Sequence, residues 1–358
     1  MNSSLCLRLA LVVAMLTSVA AVPPQEATLG PRAAAYLARA LGTAQSNYYL
    51  ADEVDWQGLY RRAFDAAAGA QAPSDTYAAL RQAFGELSHT FVQFSAAALD
   101  AEADGREARG LPDWREPEAT ANVGTRSPFA ERREPAVASL NFADMRLGHV
   151  IIPSFGGSPA ASTRFAQTLQ DQVRAVEESG VCGWVVDLRG NGGGNMWPML
   201  VGVGPVLGEG VVGSFEVGGK PAGNWFYRDG VSGTEGENGF VGARLAGPAY
   251  RLETAPPVAV LIDGGTGSSG EALAIAFKGR ADTRFFGVPT AGYSTSTNGF
   301  RMDDGVNLVI AVGLDVDREG TAYPREVQPD VTVDYAAVDD LDAQMRAAAT
   351  WLAEVCAR

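Results

Sequence analysis

Two apolar segments, 184–188 and 258–262, each run directly into a glycine-rich loop and then into a helical stretch. An unbroken apolar run that stops at glycine predicts a strand buried on both faces, and the helix behind each loop predicts strand–loop–helix units of an α/β fold. The first loop reads Asp187-Leu188-Arg189-Gly190-Asn191-Gly192-Gly193-Gly194, and the second reads Gly264-Gly265-Thr266-Gly267-Ser268-Ser269-Gly270-Glu271. The α/β pattern extends from residue 141 onward, with strands at 150–152, 285–288 and 308–312 and helices at 163–178, 271–278 and about 341–355. Two or three further strands are expected between 211 and 252, with hairpin signals at Gly218-Gly219 and Asp229-Gly230.

A loop of this kind suits a nucleophile. The side chain stands clear of the sheet end, and the unpaired N–H groups of the helix start face any negative charge that develops there. The same geometry also suits a phosphate or an ordinary turn. Ser268 is not in a Gly-x-Ser-x-Gly elbow, because Thr266 stands two residues before it and Gly270 two after it. Neither loop has the Gly-x-Gly-x-x-Gly spacing of dinucleotide-binding folds or the Gly-Lys-Ser/Thr of a P-loop. No cofactor or metal is therefore expected. Two such loops at the ends of neighbouring strands can, however, bring one N–H each to a shared oxyanion.

Lys and Arg total 28 against 42 Asp and Glu, a net charge of -14. With no basic run, nucleic acid is excluded as a natural partner, since its binding depends on clustered cations that release counterions. Arg8, the apolar stretch 9–21 and the small residues Ser18-Val19-Ala20-Ala21 predict a secretory signal over 1–21, hence export to the periplasm or medium; an uncleaved anchor is the alternative. No other segment is apolar enough to span a membrane. Removal of the signal takes Cys6 with it and leaves Cys182 and Cys356, which in an oxidising compartment can form a disulfide or stay as buried thiols. Residues 22–97 carry helical periodicity (Tyr36, Leu37, Leu41; Leu59, Tyr60, Phe64; Tyr77, Leu80, Phe84) and predict a small helical domain. Residues 98–140 are poor in large apolar side chains and read as a linker, and 141–358 as the α/β catalytic domain.

The two glycine loops, followed by Gly287-Val288-Pro289-Thr290-Ala291-Gly292 and Val327-Gln328-Pro329-Asp330-Val331, resemble the carboxyl-terminal processing (tail-specific) serine peptidases over roughly residues 147–333. The resemblance implies a peptidase core of β-sheet with flanking helices and a polypeptide substrate. It also implies a nucleophile three residues before the loop glutamate, at Ser268, and an oxyanion hole from the N–H groups of Ser269 and of Gly192 or Gly193. Asp187 and Glu271 are then structural carboxylates. The PDZ module common in the family does not fit in the short segment between Thr90 and Leu147.

The best-known branch pairs its serine with a lysine in a Gly-Lys-Gly segment, but this chain has Gly292-Tyr293-Ser294 in that region. Lys278 reads as a helix-end cation. A tricorn-like branch uses histidine instead, in a segment similar to Gly85-Glu86-Leu87-Ser88-His89-Thr90. Of the two histidines, His149 lies in the strand-like 148–152, so the resemblance implies His89 as general base and Ser88 as its neighbour. It further implies a glutamate near the Pro-Asp strand: Glu326 is the candidate, with Asp317 and Glu319 as alternatives. The expectation is an exported serine peptidase acting through an acyl-enzyme. The rival readings are an inactive peptide-binding protein on the same fold and an esterase using the same site.

Overall fold

The computed structural model describes residues 28–108, 127–132, 134–236, 239–335, 337–338 and 341–358; the expected signal segment and residues 109–126 of the expected linker lie outside them. The described chain starts with α1 (Pro31–Asn47), α2 (Trp56–Ala66) and α3 (Tyr77–Gly85), then β1 (Phe91–Gln93) and α4 (Ala96–Ala108). Proline in the first turn starts α1, and the Asp55 side chain caps α2 by accepting from the Gly58 N–H at 3.0 Å.

There follow β2 (Ala136–Phe142), β3 (Met145–Ile151), α5 (Pro159–Glu177), β4 (Trp184–Asp187) and α6 (Met196–Leu207). A meander of β5 (Gly210–Val217), β6 (Lys220–Arg228), β7 (Val231–Glu235) and β8 (Phe240–Arg244) comes next, four strands where two or three were expected. Its hairpins turn at Gly218-Gly219 and at Asp229-Gly230, all four residues at positive φ, which matches the twist of paired strands. The rest is β9 (Val258–Ile262), α7 (Ser269–Phe277), β10 (Thr283–Gly287), β11 (Thr295–Arg301), β12 (Asn307–Val316), β13 (Ala322–Tyr323), β14 (Val331–Thr332) and α8 (Ala343–Cys356).

The apolar runs form the middle of a sheet ordered β14-β10-β9-β4-β3-β2, parallel except for β2. Alternation along its strands separates two cores. Val150, Trp184, Val186, Val258, Val260 and Ile262 face α5, α6 and α7, whereas Leu147, Val185, Ala259 and Leu261 face α8. This is the mixed α/β architecture expected. At its carboxyl edge lies a second sheet, ordered β1-β12-β5-β6-β7-β8, with β11 and β13 also paired to β12.

Two observations bear on the organisation. The core of the N-terminal helices is shared with β12: Leu37, Leu41, Leu80 and Phe84 pack with Leu308, Ile310 and Ala311. The stretch read as linker begins as α4 and ends as β2. The apolar stripe that reveals a helix is missing from α4 because Ala98 and Glu102 are its buried residues, and Glu102 is held by Arg81 at 2.6 Å.

Cys182, just ahead of β4, and Cys356, at the end of α8, are joined in a disulfide across a sequence separation of 174. Closing so long a loop restricts the unfolded chain, which in the chain-entropy account contributes about 5 kcal/mol. Cys356→Ala is expected to lower the melting temperature, and reductant to lower that of the parent but not of the variant.

Candidate active site

Ser268 is the residue immediately before α7, with φ +52° and ψ −121°. A non-glycine side chain at positive φ costs about 1–3 kcal/mol unless its surroundings hold it. Here the hold is Glu271, whose carboxylate accepts from the N–H groups of Ser268 (2.9 Å), Gly292 (2.8 Å) and Tyr293 (2.7 Å) and from the Thr290 hydroxyl. Burial raises the Glu271 carboxyl above its ordinary range, opposed by these four donors.

The two glycine loops are fastened to each other. Asp263 accepts from the Gly190 N–H and the Gly265 N–H, each at 2.9 Å. The Gly267 N–H reaches the Asn191 carbonyl at 2.9 Å, and the Thr266 hydroxyl reaches that of Leu188 at 2.9 Å. Gly193 has φ +104°, and a Cβ there would stand 2.7 Å from the Ser268 Cβ, so the loop can approach the serine only as glycine. Asp187 is buried behind this apparatus. Burial alone would raise its pKa, but two hydrogen bonds from the Arg189 side chain, at 2.7 and 2.8 Å, outweigh it and hold the carboxyl well below the ordinary range. His149 lies on β3, 3.4 Å from Asp187 Oδ2, beside the sheet as expected.

His89 also sits at positive φ, +47°, between α3 and β1. Thr90 anchors it: the Thr90 hydroxyl donates to the Ser88 carbonyl (3.1 Å) and accepts from the Ala311 N–H of β12 (3.2 Å). The imidazole stacks on the Tyr293 ring, centroids 5.2 Å apart, and its Nδ1 lies 2.6 Å from Thr295 Oγ1. Burial lowers its pKa from 6.5 to about 4, so at neutral pH the ring is uncharged. His89, Ser88, Gly192, Gly194, Ser268 and Tyr293 line one cleft of about 720 Å³. No hydrogen bond joins Ser268 to His89 among the described residues.

The expected partners of this pair are placed differently. Thr295, not Glu326, meets Nδ1 of His89. Glu326 is exposed and lines a neighbouring depression of about 460 Å³ that shares Ser88 and Tyr293 with the cleft. Asp317 builds a turn by accepting from the N–H groups of Glu319 and Thr321. Of the expected oxyanion donors, the Gly192 N–H is taken by Ser154 Oγ (2.8 Å) and the Gly193 N–H by Asn191 Oδ1 (3.0 Å). Among the described residues the N–H groups of Ser269 and Gly194 have no hydrogen-bond partner, and both residues border the space at Ser268. Thr295 and Gly194 carry no signal in the sequence that separates them from any other threonine or glycine.

Two glycine loops fastened together at the carboxyl ends of adjacent parallel strands, presenting a serine at a helix start, define a protein of serine-hydrolase construction. The chain belongs to peptidase family S41, whose family model matches residues 146–333. It is similar to the nisin-resistance protein of Lactococcus lactis subsp. lactis, 31% identical over 186 residues covering 52% of this chain and 56% of that one. It is also similar to the carboxy-terminal processing protease CtpA of Bacillus subtilis (strain 168), 28% identical over 207 residues covering 56% and 38%. The chain thus spans about half, or less, of the length of these curated relatives. In fold it is similar to a lipoprotein from Streptococcus agalactiae, with a TM-score of 0.63 at 19% identity over 91% of this chain and 98% of that one. The photosystem II D1 C-terminal processing protease gives a TM-score of 0.55 at 16% identity, over 84% and 93%.

Proposed function

We propose that the chain is an extracytoplasmic serine peptidase that cleaves polypeptides through an acyl-enzyme on Ser268, with His89 as general base. The observation that carries this reading is the shared cleft, lined by a serine at positive φ at a helix start, a neutral imidazole and Gly194 with its unpaired N–H, while Ser269 borders the adjoining space at Ser268. With Nδ1–H donating to Thr295 Oγ1, the Nε2 lone pair is free to take the Ser268 proton as Oγ bonds to the substrate carbonyl carbon. The N–H groups of Ser269 and Gly194 receive the oxyanion. The carbon–nitrogen bond then breaks as Nε2–H protonates the leaving amine, and water repeats the sequence to free the acid. Catalytic hydrogen bonds are often long in unliganded enzymes and tighten on substrate binding. Membership of family S41 supports a peptide substrate, and the names of the relatives together with segment 1–21 support an extracytoplasmic location. No helix among the described residues is long and apolar enough to cross a membrane.

A fluorophosphonate probe is expected to label the intact protein at one site, the peptide carrying Ser268, as read by mass spectrometry. Folded protein that stays unlabelled would instead be a peptide-binding relative, and labelling with turnover of simple esters but not of polypeptides would make it an esterase.

A further inference from the structure

A second cavity also meets Ser268 and shares Gly194 and Thr297 with the cleft that His89 lines. It has about 620 Å³, and its walls include Met196, Trp197, Phe215 and Phe240. Phe240 and Val217 at this cavity are 49% and 41% exposed and give it an apolar rim. The cavity is not uniformly apolar. Asp315 lines it from β12 at 2% exposure, and its Oδ1 is buried without a hydrogen-bond partner; buried Ser296 Oγ, also from a lining residue, is likewise unpartnered. None of the described lining residues is Lys or Arg. Buried carboxyl oxygens are nearly always paired, because an unpaired one loses its water and gains nothing.

We infer that this cavity is the subsite for the substrate residue on the acyl side of the scissile bond, and that Asp315 selects a basic side chain there. The inference rests on the serine-peptidase reading for its orientation. A general base that later protonates the leaving amine must stand on the amine side; His89 lines the first cavity and not the second, so the second receives the acyl side. A lysine or arginine fits what is present: its methylene stem runs along the Met196, Trp197 and Phe215 walls and its charged head reaches Asp315 and Ser296. Burial, with the Glu271 charge nearby, pushes the Asp315 carboxyl well above its ordinary range, and an arriving cation restores the carboxylate. The net charge of -14 favours basic peptides at longer range.

The test is direct binding to the Ser268→Ala protein, which separates selection from turnover. Fluorescein-labelled tripeptide amides ending in lysine, norleucine or glutamate are compared by anisotropy. Lysine is expected to bind about tenfold or more tighter than norleucine, the scale of one charge-assisted contact, and glutamate weakest. Adding Asp315→Asn, an isosteric change, is expected to bring lysine and norleucine together. Equal binding of the lysine and norleucine peptides, no binding of either at millimolar concentration, or a lysine preference that survives Asp315→Asn would each overturn the inference. Should Asp315→Asn fail to fold, the three-peptide comparison in the parent decides alone. Fluorophosphonate labelling of the unaltered protein reports separately on catalysis, so the two readings fail independently.

Discussion

Ser268→Ala and His89→Ala are each expected to lower kcat/KM for a peptide substrate by about 10⁴–10⁶-fold, with the double substitution little worse than either. The near-equality is the informative part. A nucleophile and the base that activates it act as one unit, so removing either leaves only what the oxyanion donors and binding supply. Both variants are expected to melt within a few degrees of the parent, because neither side chain fills a core. The pH profile adds a signed check. The imidazole works as a base only when neutral, and burial depresses its pKa from 6.5 to about 4. Activity limited by His89 in the free enzyme therefore stays level as pH falls through 6.5 and declines near 4. Stability moves in the same direction: the unfolded chain takes up a proton at His89 below about 6.5 that the folded chain refuses until about 4, so this contribution is lost as pH falls through that window. An acid limb at 6.5 would mean that the ring is not buried in the working enzyme.

Glu271→Gln is expected to be the second large effect, costing about 3–5 kcal/mol of stability and most of the activity at once. The carboxylate accepts four hydrogen bonds and donates none. An amide in its place turns one end into a donor facing donors, which leaves buried N–H groups without acceptors. The consequence reaches both halves of the site. One oxygen holds the Ser268 N–H and the Tyr293 N–H together, and the Tyr293 ring is the surface on which His89 stacks. Chemical denaturation gives the stability term, and fluorophosphonate labelling rate at a pH where the variant is folded gives the site term. A variant that loses stability yet labels at the parental rate would show that Glu271 supports the fold alone.

What could be read in advance follows from where the physical constraint is written. The glycine loops were legible because positive φ and close backbone approach demand glycine, so geometry appears as letters at Gly193 and Gly270. His89 was legible through scarcity and resemblance, since the chain has two histidines. The faces of α1, α2 and α3 were legible from periodicity, but periodicity says that a face is buried and not by what, so their packing on β12 was hidden. The same limit explains α4, docked by an ion pair at Glu102, and the half-exposed edge strand β2. Thr295, Gly194 and Asp315 come beside His89 or Ser268 only through folding that joins segments far apart along the chain. The partners of the Gly192 and Gly193 N–H groups were hidden for a local reason: they are the side chains of Ser154 and Asn191, which the glycine pattern does not spell out.

The pairing of β1 with β12 carries a temporal consequence. Phe91 and Val92, just after His89, lie against Val309 and Leu308, which the ribosome adds more than two hundred residues later. A chain emerging from its N-terminus holds His89, the proposed base, long before the strand that seats it exists, and holds Ser268, the proposed nucleophile, before the Thr295 hydroxyl that meets the imidazole. On the proposed assignment, the two halves of the site are brought together only once the last third of the chain has been made.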